Sequence, residues 1–457
     1  MLMKIHAKSA LTSEGWKENV TLTVGADGRI TDVSADDELR PDHHRVGHLL
    51  PAPANVHSHA FQRAMAGLTE QRGPDQSDSF WTWRRLMFRF LDQLTPDHVE
   101  AITAFVQMEM LEAGFGASVE FHYVHHQLGG IPYANLAELS ERIVSAAQTS
   151  GIGLTLLPVH YQYGGCDKRS LGAGQVRFGN DLEQFSRLYE NVAKAVTRLC
   201  DDAALGVAPH SLRAVAVEDI PALIDLAGAG PVHLHLAEQV AEVEEVKAAW
   251  GKRPVEWLLD NVNVDRRWCL IHCTQMLPHE TEGLAKSGAV AGLCPITESS
   301  LGDGLFDGVN WLGHGGAIAV GSDSNIRISL SEELRTLDYS QRLRDHSRAA
   351  LATDKKSTGR RLLDEVNSGG AQAANRKSGR IEVGQWADLF ALDADHIDFI
   401  NRNGDTILDS YVFAGDDRMV TDVWSAGRHL VQSGSHIRRT EITDAYRRVM
   451  NELKTQL

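Results

Sequence analysis

Eight short apolar runs, at 49–57, 117–124, 151–160, 204–210, 231–237, 267–272, 288–294 and 316–322, alternate with longer stretches of helical periodicity. Such alternation is the pattern of βαβ units on a parallel sheet. Eight units over roughly 270 residues predict an α/β chain built on a (β/α)8 TIM-type barrel, with its active site at the C-terminal ends of the strands. Helical patterns at 95–114, 185–200 and 217–230 fit between the runs, and Thr95-Pro96 reads as N-cap and first helical residue. The predicted barrel spans 49–375. Residues 1–48 and 376–457 flank it with short alternating strand patterns broken by turns, at 379–393, 406–415 and 420–431 among others. The two ends are expected to share a small β-sandwich domain, with a helix at the C-terminus.

Several of the eight runs end in polar groups suited to a metal. PANVHSHAFQRAMAG (53–67) places His57 and His59 two apart, on one face of a strand. His235 in VHLHLAEQ, His272 in CLIHCT and Asp323 in AIAVGSDS follow at the ends of later runs. A lone His-x-His pair is weak evidence. The same pair followed by His, His and Asp at separate strand ends is strong.

His57, His59, His235 and Asp323 make an N3O donor set that suits one Zn²⁺ per subunit with an open position for water, although iron or manganese also fits such donors. A water acidified there needs a group to take its proton, and Asp323 stands at that point. His272 is placed to orient the nucleophile or polarise the electrophile. Glu238, three residues past His235, can reach substrate without ligating the metal and is the expected proton shuttle to a leaving amine. His233 points to the opposite strand face and is expected to pack behind the barrel. His122, His125 and His126 read as loop and supporting groups, and the segment 81–90 reads as an amphipathic core helix with a basic edge.

Composition narrows the partners. The chain has 457 residues, 45 basic against 61 acidic, for a net charge of -16. That balance argues against nucleic acid or an anionic membrane as partner. An acidic substrate would need locally placed arginines. Cys166, Cys200, Cys269, Cys273 and Cys294 are scattered and odd in number, and read as free thiols of a reducing cytoplasm. No apolar run reaches 18 residues, so no membrane span is expected.

Taken together, HSHAFQRAMAGLTE, FWTWRRLMFR, EFHYVHH, APHSLRAV, HLHLAEQ, CPITESSLGDG and GSDSNIRISL resemble the amidohydrolase superfamily in its one-metal branch. Within it they resemble the N-formimino-L-glutamate deiminases of histidine breakdown. The likeness covers nearly the whole chain, with GRIEVGQWADLFALD similar to the usual C-terminal signature. Nucleobase and aminohydrolase relatives more often carry Ser-Asn where this chain has Thr297-Glu298, a departure that favours the formimino substrate.

The resemblance implies hydrolysis of an amidine to N-formyl-L-glutamate and ammonia. It puts the metal ligands on His57, His59, His235 and Asp323, catalytic roles on Asp323, Glu238 and His272, and substrate contacts on Gln62, Arg84, Tyr123, His210 and Arg213. Arg84 is taken from its place after Trp-Thr-Trp. Arginine forks bind carboxylates bidentately, so Arg84 and Arg213 would hold a small dianionic substrate. The resemblance further implies a homodimer. Arg63 and Arg327 lie near strand ends with roles open, and the Gly-rich stretch 163–175 reads as either a lid or a plain surface loop. Two rivals share these motifs: a deaminase of a guanine, cytosine or adenosyl-type substrate with an uncharged aromatic pocket, and a non-catalytic scaffold. Intact His57, His59, His235, Glu238, His272 and Asp323 speak against the scaffold.

Overall fold

The computed structural model describes residues 2–70 and 80–454, leaving out the side chains of residues 80–82, 84 and 85. Eight parallel strands form the barrel: Ala54–Ser58, Ala117–His122, Gly153–His160, a broken fourth (Ala204–Leu205 and Ala208–Pro209), Val232–Leu236, Trp268–His272, Val290–Leu293 and Ala317–Val320. The first four and the last four make separate hydrogen-bonded sets. Isolated bridges join them, Val207 to Val232 and Ser211 to His235 on one side and Ser58 to Asp323 on the other. The barrel therefore closes at residues singled out for chemistry. Gly321 permits the second closure, since a Cβ there would lie 2.6 Å from the backbone nitrogen of His57.

The helix Pro96–Glu112 begins as expected. Thr95 caps it, its hydroxyl accepting from the His98 amide and the His98 ring accepting from the Thr95 amide. Apart from the half-buried Ala204–Leu205 piece and Ala317, the barrel strands are buried along their length, which explains why they read as continuous apolar runs rather than alternating ones.

Strands from both chain ends form one eight-stranded sheet, in the order Ser435–His436, Arg428–Gln432, Val420–Ser425, Leu389–Leu392, His44–Pro51, Met3–Thr12, Gly15–Val24 and Ile30–Ser34. Its two faces serve different cores. Leu49 and Leu389 join a small cluster within the sheet, whereas their neighbours Leu50 and Phe390 join the main barrel core. The C-terminal helix Arg439–Lys454 lies against the barrel helix Pro96–Glu112, with Tyr446 stacked on Phe105 at a centroid distance of 4.0 Å.

Three expectations need correction. The run 49–57 is two strands: His44–Pro51 belongs to the end sheet, and the barrel strand starts at Ala54, beyond the Pro51-Ala52-Pro53 break. The fourth run, 204–210, is interrupted at Gly206-Val207 and bonds to its neighbours in pieces. The segment 406–415 is helical, Asp405–Phe413, because Ile407, Leu408, Tyr411 and Val412 bury one helical face.

A buried ion network joins the sheet to the barrel. Arg376 binds Asp388 (2.6 and 2.8 Å) and Asp202 (2.8 Å), and Arg428 binds Asp202 through two further contacts of 2.9 and 2.7 Å.

Candidate metal centre and substrate cleft

His57, His59, His235 and Asp323 converge at the C-terminal mouth of the barrel. His57 Nε2 lies 3.1 Å from His235 Nε2 and 3.5 Å from Asp323 Oδ1, and His59 Nε2 lies 3.3 Å from that oxygen. Outer hydrogen bonds set the ring orientations. His59 Nδ1 donates to the Phe121 carbonyl and His235 Nδ1 to the His210 carbonyl, each at 3.0 Å, which leaves both Nε2 lone pairs facing inward. Asn325, through Asp323 O, Ser322 and Ser58, ties the eighth strand end to the first.

These donors fit a metal ion. Burial, then neighbouring imidazoles, holds His57 and His235 well below the ordinary histidine value, so both are neutral imidazoles at pH 7, able to serve as ligands. The 3.1 Å separation of His57 Nε2 and His235 Nε2 is short enough for one cation to be shared between them, and the adjacent carboxylate would supply the balancing charge.

His272 and Asp323 share a backbone peculiarity, left-handed φ angles of 72° and 45° at the strand ends. Non-glycine residues adopt that region seldom, and here it turns the side chains across the barrel mouth. His272 Nε2 is 3.9 Å from both Asp323 Oδ2 and Glu238 Oε1, and its Nδ1 is 3.2 Å from Glu298 Oε1. Burial disfavours an imidazolium, but Glu238, Glu298 and Asp323 outweigh it and push His272 up to about 10. Glu238 goes to about 7, raised chiefly by burial, with His272 opposing and Glu242 and Asp323 adding to the rise.

Above the centre lies a cleft with about 580 Å³ of empty space. His59, His235, Glu238, His272 and Asp323 line its floor, and Gln62, Tyr123, His210 and Arg213 line its walls. His57 sits just beneath. Gln62 Nε2 donates to the Tyr123 hydroxyl at 2.9 Å, while its buried Oε1 has no partner. The Nε of Arg213 is likewise buried without a hydrogen-bond partner. An unsatisfied buried guanidinium nitrogen is costly unless an anion arrives to meet it. Arg84 falls within the helix Phe80–Leu91, but its side chain lies outside the described residues.

Sequence reasoning missed Trp83, Met87, Tyr161, Phe178 and Leu301, which complete the cleft. They come from helices and loops whose periodicity says nothing about which face meets substrate. The two arginines left open have structural partners: Arg63 forms a fork with Glu109 at 2.7 and 3.1 Å, and Arg327 pairs with Glu332. His233 does turn away, its Nε2 2.9 Å from the Ala373 carbonyl. His125 and His126 bond to the carbonyls of Val159 and Gly179. All five cysteines are free thiols. The loop 163–175 is tied down by Arg169 to Glu245 and Lys168 to Glu218, and Gln175 donates to the Tyr161 hydroxyl at the cleft wall. Among the described residues no helix is long and apolar enough to cross a membrane.

Residues 48–430 match the model of the amidohydrolase family. The chain belongs to the amidohydrolase family. This amidohydrolase also matches, over residues 3–47, the model described as the N-terminal domain of formimidoylglutamate deiminase HutF. It is 45% identical over 454 residues to a formimidoylglutamate deiminase of Pseudomonas aeruginosa, covering 98% of this chain and 99% of that one. A crystal structure of an amidohydrolase from Brucella melitensis superposes with a TM-score of 0.94 at 45% identity, covering 99% of this chain and 100% of that one. An adenosine deaminase from Xanthomonas campestris, with bound zinc, shares the fold at a TM-score of 0.81 and 20% identity, covering 99% and 98%.

Proposed function

We propose that this amidohydrolase deaminates N-formimino-L-glutamate by hydrolysis, yielding N-formyl-L-glutamate and ammonia in histidine degradation. The observation that carries the substrate assignment is Arg213, the one arginine among the described residues lining the cleft, whose buried Nε has no hydrogen-bond partner. A planar guanidinium suits a carboxylate, and a neutral nucleobase would leave it unmatched. The deiminase likeness over almost the full chain supports the same reading.

In this proposal His57, His59, His235 and Asp323 hold one divalent cation, and the N3O set favours zinc over iron or manganese. When bound, the ion supplies a water acidic enough to act as nucleophile near neutral pH. Asp323 takes the proton released as that water adds to the formimino carbon. His272, kept cationic by Glu238, Glu298 and Asp323, directs its Nε2–H toward the reacting oxygen. Glu238, with a pKa of about 7, binds the formimino nitrogen and delivers a proton to it, so that ammonia departs. Arg213 and Arg84 hold the two carboxylates, while Gln62, Tyr123 and His210 orient the chain between them. A homodimeric state belongs to the same proposal, and mass determination in solution checks it.

Product analysis tests the reaction. Zinc-loaded protein should convert N-formimino-L-glutamate to equal amounts of ammonia and N-formyl-L-glutamate, and chelator-treated protein should not. Release of glutamate, or turnover insensitive to chelation, would refute the mechanism.

A further inference from the structure

Three strands of the end sheet bring His44, Asp422 and His429 together, none of them among the residues that line the cleft. His44 Nε2 lies 3.0 Å, and His429 Nε2 2.8 Å, from the same oxygen, Asp422 Oδ1. The three donor atoms fall within 4.8 Å of one another, as do those of His57, His59 and His235. The His429 ring is fixed by its stack on Trp424, with centroids 4.4 Å apart and planes 15° apart, and it meets the His44 ring edge-on at 4.6 Å. The side chains of His44, Asp422 and His429 are 41%, 11% and 17% exposed. An ion can therefore enter from solvent, and water can complete its coordination.

We propose that His44, Asp422 and His429 form a second divalent transition-metal site, independent of the catalytic centre. Two imidazoles and one carboxylate are donors for first-row divalent ions. The observed 2.8 and 3.0 Å are ordinary N–H···O hydrogen-bond lengths, so an ion would enter in place of the two imidazole protons that now meet Asp422 Oδ1. Ni²⁺, which takes imidazole and carboxylate donors together, is the probe for the site. A bound ion would pin the strand His44–Pro51 to Val420–Ser425 and Arg428–Gln432, joining the N-terminal and C-terminal parts of the sheet.

The test is calorimetric titration of untagged, zinc-loaded protein with Ni²⁺ alone. The site predicts one nickel per chain beyond the resident zinc, with zinc content and deiminase activity unchanged and Tm raised. His44→Ala and His429→Ala should each weaken that binding by about 100-fold. His44 is exposed enough for its variant to fold, and an unchanged Tm without nickel checks this. Absence of nickel uptake by the wild type, nickel that merely displaces zinc, or uptake undiminished in His44→Ala would each overturn the proposal.

Discussion

His272 and Glu298 share a buried hydrogen bond, Nδ1–H to Oε1 at 3.2 Å, and the same oxygen accepts from the Cys294 amide at 2.8 Å. Glu298 thus fixes the His272 ring and its charge from behind, while Nε2 faces Glu238 and Asp323. Glu298→Gln should lower kcat by about 10²-fold with metal content unchanged, measured by steady-state ammonia release and metal analysis. Equal activity of the variant would show that the His272 charge is not needed.

Asp323→Asn removes both a proposed ligand and the proposed base. Turnover should fall below detection even at saturating zinc, whereas a fully active variant would exclude Asp323 from proton transfer.

Arg213→Ala should behave differently. Losing a charge-assisted contact to substrate should cut kcat/KM about 10²–10³-fold, with most of the change in KM. A fall confined to kcat would place Arg213 in the chemistry rather than in binding.

The Asp202–Arg376–Asp388 network makes a stability prediction. Its side chains are nearly inaccessible, and removing Arg376 takes the cation from Asp388 and leaves Asp202 with Arg428 alone. Arg376→Ala should cost about 3–5 kcal/mol of unfolding free energy in chemical denaturation. The pH dependence has a definite sign. Burial favours the neutral acid, yet Arg428 and Arg376 overcome it and hold Asp202 below its ordinary value of 3.8. A depressed folded-state pKa contributes stability that is complete above about pH 4 and lost as pH falls through the folded value. Denaturation midpoints measured from pH 6 down to pH 3 should therefore drop more steeply in the wild type than in Asp202→Asn.

The barrel and metal cluster were legible because buried parallel strands read as apolar runs, and polar groups ending such runs have few roles other than chemistry. His235, His272 and Asp323 stood out in this way. Leu49-Leu50-Pro51 misled because a sheet strand and a barrel strand abut with two prolines between them, and hydrophobicity cannot tell which sheet each serves. TILDSYVF carries β-rich residue types, yet its apolar positions recur at helical spacing, and packing decided for the helix. Tyr161 and Phe178 were invisible as site residues because their roles arise from long-range contacts that no local period encodes, and Glu298 stood out only as a motif departure, without its contact to His272.

The central claim is that this metal centre and its arginine serve a linear, dianionic formimino substrate. The direct measurement is the rate of ammonia release by zinc-loaded protein from N-formimino-L-glutamate, N-formimino-L-aspartate, guanine, cytosine and adenosine. The account predicts rapid release from the glutamate compound and little or none from the others; release from a nucleobase, with none from N-formimino-L-glutamate, would contradict it.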